Sequence, residues 1–580
     1  MSMEELLNGL GDRVVMLLVI LPLLAAAVVP LAARAEPRYA RTVALLVSSV
    51  SVLLAGGMVW RYDPQTLDDS GAPVTTQMVS GFVWDIGVSG AAGDTHRNRS
   101  TPDPKDAASK AKQDSGFRIE FGVDGLGLWP AACVPVIMWC LLVAEWDRWS
   151  GRSPAVLSFL LLLEAGLISF FSAQDVLTAS LGLLSVASLL PLLLGASGGE
   201  RRRLAARRLM LQQWTAALLV TAGLAGLLGV HAVMIGAPDS PPGAPTWQID
   251  QFIAAVPGLN SPAGAVWSRI ASCLFLTLII GFFFWSGLAP SHSAAVVAHL
   301  EGDAPSQVAL TALSLNAGVY GLLRFVTPLF PQLSMSFSPA LFFLAACGVL
   351  YTAAWMTAVK NAVRLAAGVG ILWRSLALAG LASMTVNGIR GCVLLIPAAM
   401  LAAAAWILAQ GGMQRFGRES SRHADPLADG GVGRVATARE REAGVHEPAT
   451  DHLRPSGTTV LSAFAAAGLP GTALFPGALL VIGGLVEMRW EPPGGWMLTS
   501  LLVSGALLAA AGSVLRTLAV KDDHAAMIGR SHGRPKSGPL AALIVLAGLL
   551  ISLGVRPGLV LDPAQPTLVT LLGLPEESPE

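Results

Sequence analysis

The sequence predicts an all-α polytopic membrane protein of about fourteen transmembrane helices, and three observations carry that expectation. Of the 580 residues, 53% are hydrophobic and 13% are charged, where an ordinary soluble domain carries roughly 25% charged residues. The mean hydropathy is +0.61. Apolar runs of about 20 residues, the length that crosses a hydrocarbon core of roughly 30 Å, recur along the whole chain. A soluble fold and a single anchor are both excluded. The formal net charge is zero, so no global field points to nucleic acid, and the expected surroundings are a lipid bilayer and other membrane segments.

The runs follow one another at 13–33, 41–60, 124–146, 154–172, 176–196, 209–234, 266–288, 306–330, 337–356, 365–383, 389–410, 458–485, 496–519 and 538–556. The stretch before the first is acidic, and no small-residue cleavage site follows it, so the first run reads as a retained helix. Residues 1–60 thus hold two helices, and 61–118, rich in Gly, Asp, Ser and Lys, form an external polar loop. Residues 119–410 hold helices three to eleven, interrupted by a Pro- and Gly-rich connection at 235–265. A second polar loop at 411–457 precedes helices twelve to fourteen at 458–556, and 557–580 is a C-terminal tail.

Orientation follows from the basic residues, because Lys and Arg near span ends stay on the cytoplasmic side. Arg34, Arg38 and Arg41 follow the first span, Arg148 and Arg152 the third, and Arg201, Arg202, Arg203, Arg207 and Arg208 the fifth. Lys360 and Arg364 follow the ninth, Arg415, Arg418 and Arg422 the eleventh, and Lys521, Arg530, Arg534 and Lys536 the thirteenth. The even connection 235–265 has no Lys or Arg. The odd connections are therefore expected in the cytoplasm of a cell (inner) membrane protein, with both termini outside.

Metal and nucleophile chemistry is thinly represented. Cys133, Cys140, Cys273, Cys347 and Cys392 lie inside apolar runs without metal-type spacing and read as small core residues. No phosphate-cradling glycine loop, HExxH, paired CxxC or serine elbow occurs. Asn98-Arg99-Ser100 fits a glycosylation triplet by chance as easily as by design.

Particular residues carry a family resemblance. Phe121-Gly122-Val123-Asp124-Gly125 opening the third span, Gly198-Gly199-Glu200-Arg201-Arg202 after the fifth, and Pro290-Ser291-His292 with Ala298-His299 and Glu301 come first. Tyr320-Gly321-Leu322-Leu323-Arg324-Phe325, Lys360 with Arg364-Leu365, and Gly468-Leu469-Pro470-Gly471-Thr472 follow in order. Each string is weak alone. In this order over roughly 120–490 they resemble chain M of NADH-quinone oxidoreductase and the Mrp-type cation/proton antiporter subunits. The resemblance implies two inverted repeats of five helices, each with one broken helix. The breaks would lie in the seventh span around Trp285-Ser286-Gly287 and in the twelfth at Gly468-Leu469-Pro470-Gly471, where Gly and Pro make them plausible. It also implies partners among the other membrane subunits of a complex I type or Mrp-type assembly. Electron transfer would belong to those partners, since no cofactor is expected in this chain: nothing looks able to hold flavin, an iron-sulfur cluster or haem.

The resembled family moves protons along ionisable residues at the membrane middle, and those positions are replaced here. The fifth-span Glu falls at or near Val186, the seventh-span Lys at Trp285 and the eighth-span Lys at Asn316. The tenth- and eleventh-span His positions read Trp373 and Ala399, and the twelfth-span acid reads Ala478. A relay needs groups that exchange protons near working pH, and these side chains do not. The surviving proton-path candidates are Asp175, Asn316, Arg374, His292, His299 and Glu301. The last three read first as an ordinary solvated loop after the seventh span and only second as a proton entry or interface, Arg324 as a snorkelling residue or a partner of Asp303, and Glu164 as paired with Arg or water. Arg374 is the most anomalous residue in the bilayer region.

Three readings result. The chain is a mainly structural membrane-arm subunit with a degenerate relay, an active proton or cation channel using non-standard residues, or a polytopic membrane enzyme such as a glycosyltransferase using Asp63, Asp68 and Asp69. The last explains none of the ordered motifs.

Overall fold

Eleven helices among the described residues of the computed structural model are long and apolar enough to cross a membrane. The described residues are 11–66, 74–84, 117–235, 249, 265–359, 361–423, 457–488, 503–514 and 537–572. In chain order the elements are α1 (Val14–Ala35), α2 (Pro37–Arg61), strands β1 (Thr76–Trp84) and β2 (Phe117–Asp124), α3 (Leu128–Ala144), α4 (Pro154–Phe171), α5 (Val176–Ser197) and α6 (Arg202–Ile235). Next come α7 (Ala265–Ser286), α8 (Ser293–Glu301), α9 (Ala304–Leu329), α10 (Pro331–Ala358), α11 (Ala362–Ala382) and α12 (Val386–His423). The chain continues with α13 (Gly457–Ala466), α14 (Leu474–Glu487), α15 (Val503–Val514), α16 (Ser537–Val555) and α17 (Gly558–Leu572).

Each expected apolar run has a helix at its position, and three of these helices, α3, α14 and α15, are shorter apolar segments. From α4 to α15 the order repeats: three continuous helices, a broken one, then a fifth, first as α4 to α9 and again as α10 to α15. An odd number of crossings per group starts the second group from the opposite face, which is what inverts the repeat. Helices α9, α11 and the 386–410 part of α12 have fully buried apolar windows, so they form the centre, while α10 and α16 are only 33% buried and form the rim. The centre has no lipid contact to satisfy, and that is where polar side chains survive.

Helix α9 departs from α geometry in two π-helical stretches, Val308–Ser314 and Leu322–Val326. A π turn widens the helix and displaces its carbonyls, a device often found at functional positions. Thr311 lies inside the first stretch, and Arg324 inside the second.

Several sequence expectations require correction. The 61–118 region holds β1 and the start of β2, which pair antiparallel with Thr76 opposite Asp124. The Phe121–Asp124 motif therefore ends a strand and does not open the third helix. Most of that region, including Asp68, Asp69 and Asn98, lies outside the described residues, as do Lys360, most of 235–265 and 424–456. The 411–457 loop begins helical, since α12 runs to His423. The 557–580 tail contains α17. Cys133, Cys140 and Cys392 are buried, but Cys273 and Cys347 are exposed on the outer surface and are not core residues.

The two ends of the bundle are held by separate networks. On one, Arg148 and Arg152 pair with Glu145, and Arg152 also reaches Asp303 at 3.0 Å, which caps α9 and accepts from Ser197 Oγ. The connections after α3, after α5 and before α9 are thereby joined. On the other, Gly122 N donates to Ser172 O, Gln174 N to Glu120 O and Ile249 N to Gln174 O, which joins β2 to the turn between α4 and α5.

Candidate functional site at the broken helices

Helix α7 stops at Ser286 because Gly287 takes a left-handed conformation (φ +57°), and α8 starts at Ser293. Trp285 fills the end of α7, fully buried, and its Nε1 donates to the Ser314 carbonyl at 2.8 Å. The break packs so closely on α9 that a Cβ at Gly318 would lie 2.6 Å from the Phe282 carbonyl oxygen and 2.7 Å from Ser286 N. Only glycine admits that approach.

Beyond the break, α8 turns inward. His299 is 1% exposed, and its Nδ1 lies 2.7 Å from Thr311 Oγ1 on α9. The solvated-loop reading of His299 is therefore wrong: the residue belongs to the buried centre. The Thr311 carbonyl accepts from Arg374 Nη1 of α11 at 3.2 Å and lies 3.4 Å from Asn316 Nδ2, which donates more closely to the Ala312 carbonyl at 2.9 Å. Both Arg374 and Asn316 are 2% exposed. Three candidates from different elements thus meet on one residue, Thr311. A lone threonine in an apolar run gives no sequence signal, and Thr311 was missed for that reason.

The second break separates α13 from α14. Gly468 (φ +67°) and Gly471 (φ +92°) supply left-handed turns, and the loop is held on α16 by Ala473 N donating to the Leu550 carbonyl. Trp373 of α11 reaches it: its Nε1 donates to the Ala466 carbonyl, the last of α13, at 3.0 Å. A Cβ at Gly468 would collide with the Trp373 ring at 2.5 Å. At each break an indole N–H that does not titrate thus caps a backbone carbonyl: Trp285 of the broken helix caps one of α9, and Trp373 of α11 caps one of the broken helix. Val186, Ala399 and Ala478 are buried apolar side chains.

The remaining candidates do structural work elsewhere. Asp175 caps α5, accepting from Thr178 N at 2.7 Å and from Glu120 N at 2.8 Å, and so ties α5 to β2. Burial pushes its carboxyl above the usual carboxylate range while these bonds pull it back. Glu301 holds the Gly198–Arg202 loop, its carboxylate accepting from Arg201 N and its carbonyl from Gly199 N. His292 Nε2 lies 3.2 Å from Tyr351 OH of α10. Glu164 is fully buried on α4 against Ser51 of α2. Arg324 neither snorkels nor meets Asp303: it is buried and forms an ion pair with Asp124 at 2.7 Å, while Asp303 meets Arg152. Among the described residues no cluster of three His, Cys, Asp or Glu side chains could hold a metal ion.

No family model matches the chain. Whole-chain comparison with curated proteins finds NADH-quinone oxidoreductase subunit M of Mycobacterium tuberculosis, 27% identical over 500 residues, covering 80% of this chain and 83% of that protein. Subunit M of Rhodobacter capsulatus is 23% identical over 465 residues, covering 79% and 82%. The chain is similar in sequence to subunit M of NADH-quinone oxidoreductase, and the same likeness extends to its fold. Solved members of the antiporter-like fold superpose over nearly the whole chain. Respiratory complex I from Thermus thermophilus matches with a TM-score of 0.68 at 21% identity, covering 96% of this chain and all of the matched one. The Mrp complex from Dietzia sp. DQ12-45-1b has a TM-score of 0.68 at 15% identity, covering 97% of this chain and 53% of that one. An archaeal membrane-bound sulfane sulfur reductase also scores 0.68, at 17% identity, covering 97% and 98%. The antiporter-like fold thus recurs in this chain with both helix breaks in place.

Proposed function

We propose that this chain is a membrane-arm, antiporter-like subunit of a complex I type or Mrp-type assembly, in which it serves as a scaffold while its own proton relay is silent. The observation that carries the reading is the paired substitution at the helix breaks. Trp285 and Trp373 occupy the resembled relay positions and spend their only polar hydrogen on backbone carbonyls. An indole N–H committed in this way neither accepts nor releases a proton near neutral pH. The scaffold itself is intact, so the surfaces that dock on sister subunits are retained. Electron transfer is assigned to those partners.

The odd connections are proposed to face the cytoplasm. The ion pairs joining Arg148, Arg152, Glu145 and Asp303 support placing the third, fifth and seventh connections on one side, and the basic bias supports that side being the cytoplasm.

A second reading, residual ion movement by non-standard residues, is favoured by one observation, the buried contact of His299, Thr311 and Arg374. Reconstitution separates the two. The purified chain in liposomes is expected to pass protons and sodium no faster than empty vesicles, and to co-purify in mild detergent with other antiporter-like membrane subunits. Robust flux by the isolated chain overturns the silent reading.

A further inference from the structure

Two arginines are buried at the centre of the bundle, and their surroundings differ. Arg324 faces Asp124 across an ion pair. Arg374, on the fully buried helix α11, makes no ion pair among the described residues. Its Nη1 donates to the Thr311 carbonyl, and its Nε is buried with no hydrogen-bond partner among them. His299 lies within electrostatic reach of the same guanidinium, and the two meet on Thr311, His299 at its hydroxyl and Arg374 at its carbonyl. The cluster therefore carries a positive charge that no carboxylate among the described residues pairs with.

Such a charge is costly in a low-dielectric interior, so a chain that merely filled space would gain by replacing it with an apolar side chain. A guanidinium is also the one basic side chain that does not release its proton in proteins. Placed beside the imidazole, it repels hydronium and metal cations and cannot itself pass a proton on. The hydroxyl, amide and imidazole of Thr311, Asn316 and His299 would otherwise offer a polar foothold through the centre of the bundle.

We infer that Arg374 is a fixed electrostatic barrier that keeps this polar cluster closed to protons and cations, so that the centre of the chain is sealed by charge as well as by packing. The inference rests on the proton-silent reading above and names the residue that enforces it. Arg374 is a specificity-determining residue in this sense, and His299 and Thr311 are the groups it guards.

The test uses the full chain in proteoliposomes holding a pH-sensitive dye, with an imposed potassium diffusion potential. Wild type is expected to be as tight as empty vesicles. Arg374→Lys keeps the charge and nearly the length, but its amine releases a proton when buried. A purely structural role predicts that it resembles wild type. A barrier role predicts proton entry raised about tenfold or more, the change that accompanies a barrier lowered by about 1.4 kcal/mol, with no rise in potassium leak. Arg374→Gln, which removes the charge, is expected to leak protons as well. If Arg374→Gln does not fold, the lysine variant decides alone. A monodisperse Arg374→Lys protein as tight as a tight wild type overturns the barrier and leaves the silent reading standing. A conducting wild type overturns both.

Discussion

The Nε of Arg324 lies 2.7 Å from the carboxylate of Asp124, with both side chains 2% exposed. The pair joins the second π-helical stretch of α9 to the turn that leads from β2 into α3, where Asp124 Oδ1 also accepts from Gly127 N. Removing one partner strands a buried charge, which costs roughly 3–5 kcal/mol. Asp124→Asn and Arg324→Leu are each expected to lower the thermal midpoint in detergent by clearly resolved amounts. The double variant Asp124→Leu/Arg324→Leu should lose less than the two single losses combined. Strict additivity in that cycle would show that the pair contributes no coupling.

The two indoles make a second, independent expectation. Trp285→Phe and Trp373→Phe each remove one indole donor, from the Ser314 and Ala466 carbonyls respectively. Each should cost about 1–3 kcal/mol, and the effects should add because the indoles serve different breaks. Limited proteolysis of the Trp373→Phe protein should show earlier cutting near Gly468 to Gly471 than in wild type. Unchanged protection there would sink the capping role.

Glycine substitutions separate close approach from local helix propensity. Gly318→Ala places a methyl against Phe282 O and Ser286 N and should cost about 1–3 kcal/mol or more. Gly483→Ala in α14, with nothing within 4 Å of its added carbon, should be neutral or stabilising by up to about 1 kcal/mol. Equal effects at both sites, read as detergent melting temperatures, would contradict the packing at the first break.

Orientation is checked by single cysteines and a membrane-impermeant thiol reagent on intact cells, in a background where the exposed Cys273 and Cys347 are replaced. A cysteine at Ser240 should label and one at Gly430 should not. The reverse pattern would invert the topology.

Helix positions were legible because each apolar run is long enough to declare itself. The two breaks were legible for a local reason, since Gly287, Gly468, Pro470 and Gly471 interrupt apolar sequence where a continuous helix would exclude them. Strands β1 and β2 were hidden in a polar region whose Gly and charged residues blur alternation. Helix α17 was hidden because Asp562, Pro563 and Pro566 read as tail.

The candidate centre was legible in part. Arg374 stood out as a cation inside an apolar span, and Asn316 as a lone amide. His299 was misplaced because His292, Glu301, Gly302 and Asp303 surround it with the composition of a loop. Its burial depends on the sharp turn at Gly287 that redirects α8, which composition does not encode. The pairing of Arg324 with Asp124 joins positions 200 apart in sequence, beyond any local pattern.

Helix α17 has a consequence for biogenesis. Tyr62 OH donates to the Pro563 carbonyl, Gly125 N to Thr567 Oγ1, Trp129 Nε1 to the Leu559 carbonyl, and Arg390 Nη2 to Gln565. The turn after β2 is so closely covered that a Cβ at Gly125 would overlap the Pro563 carbonyl. The first three of these contacts span most of the chain length, and loop closure of that size is slow. A ribosome must therefore translate past residue 572 before the early helices can finish their own packing. Until then the Gly125 amide and the Trp129 indole N–H lack these partners.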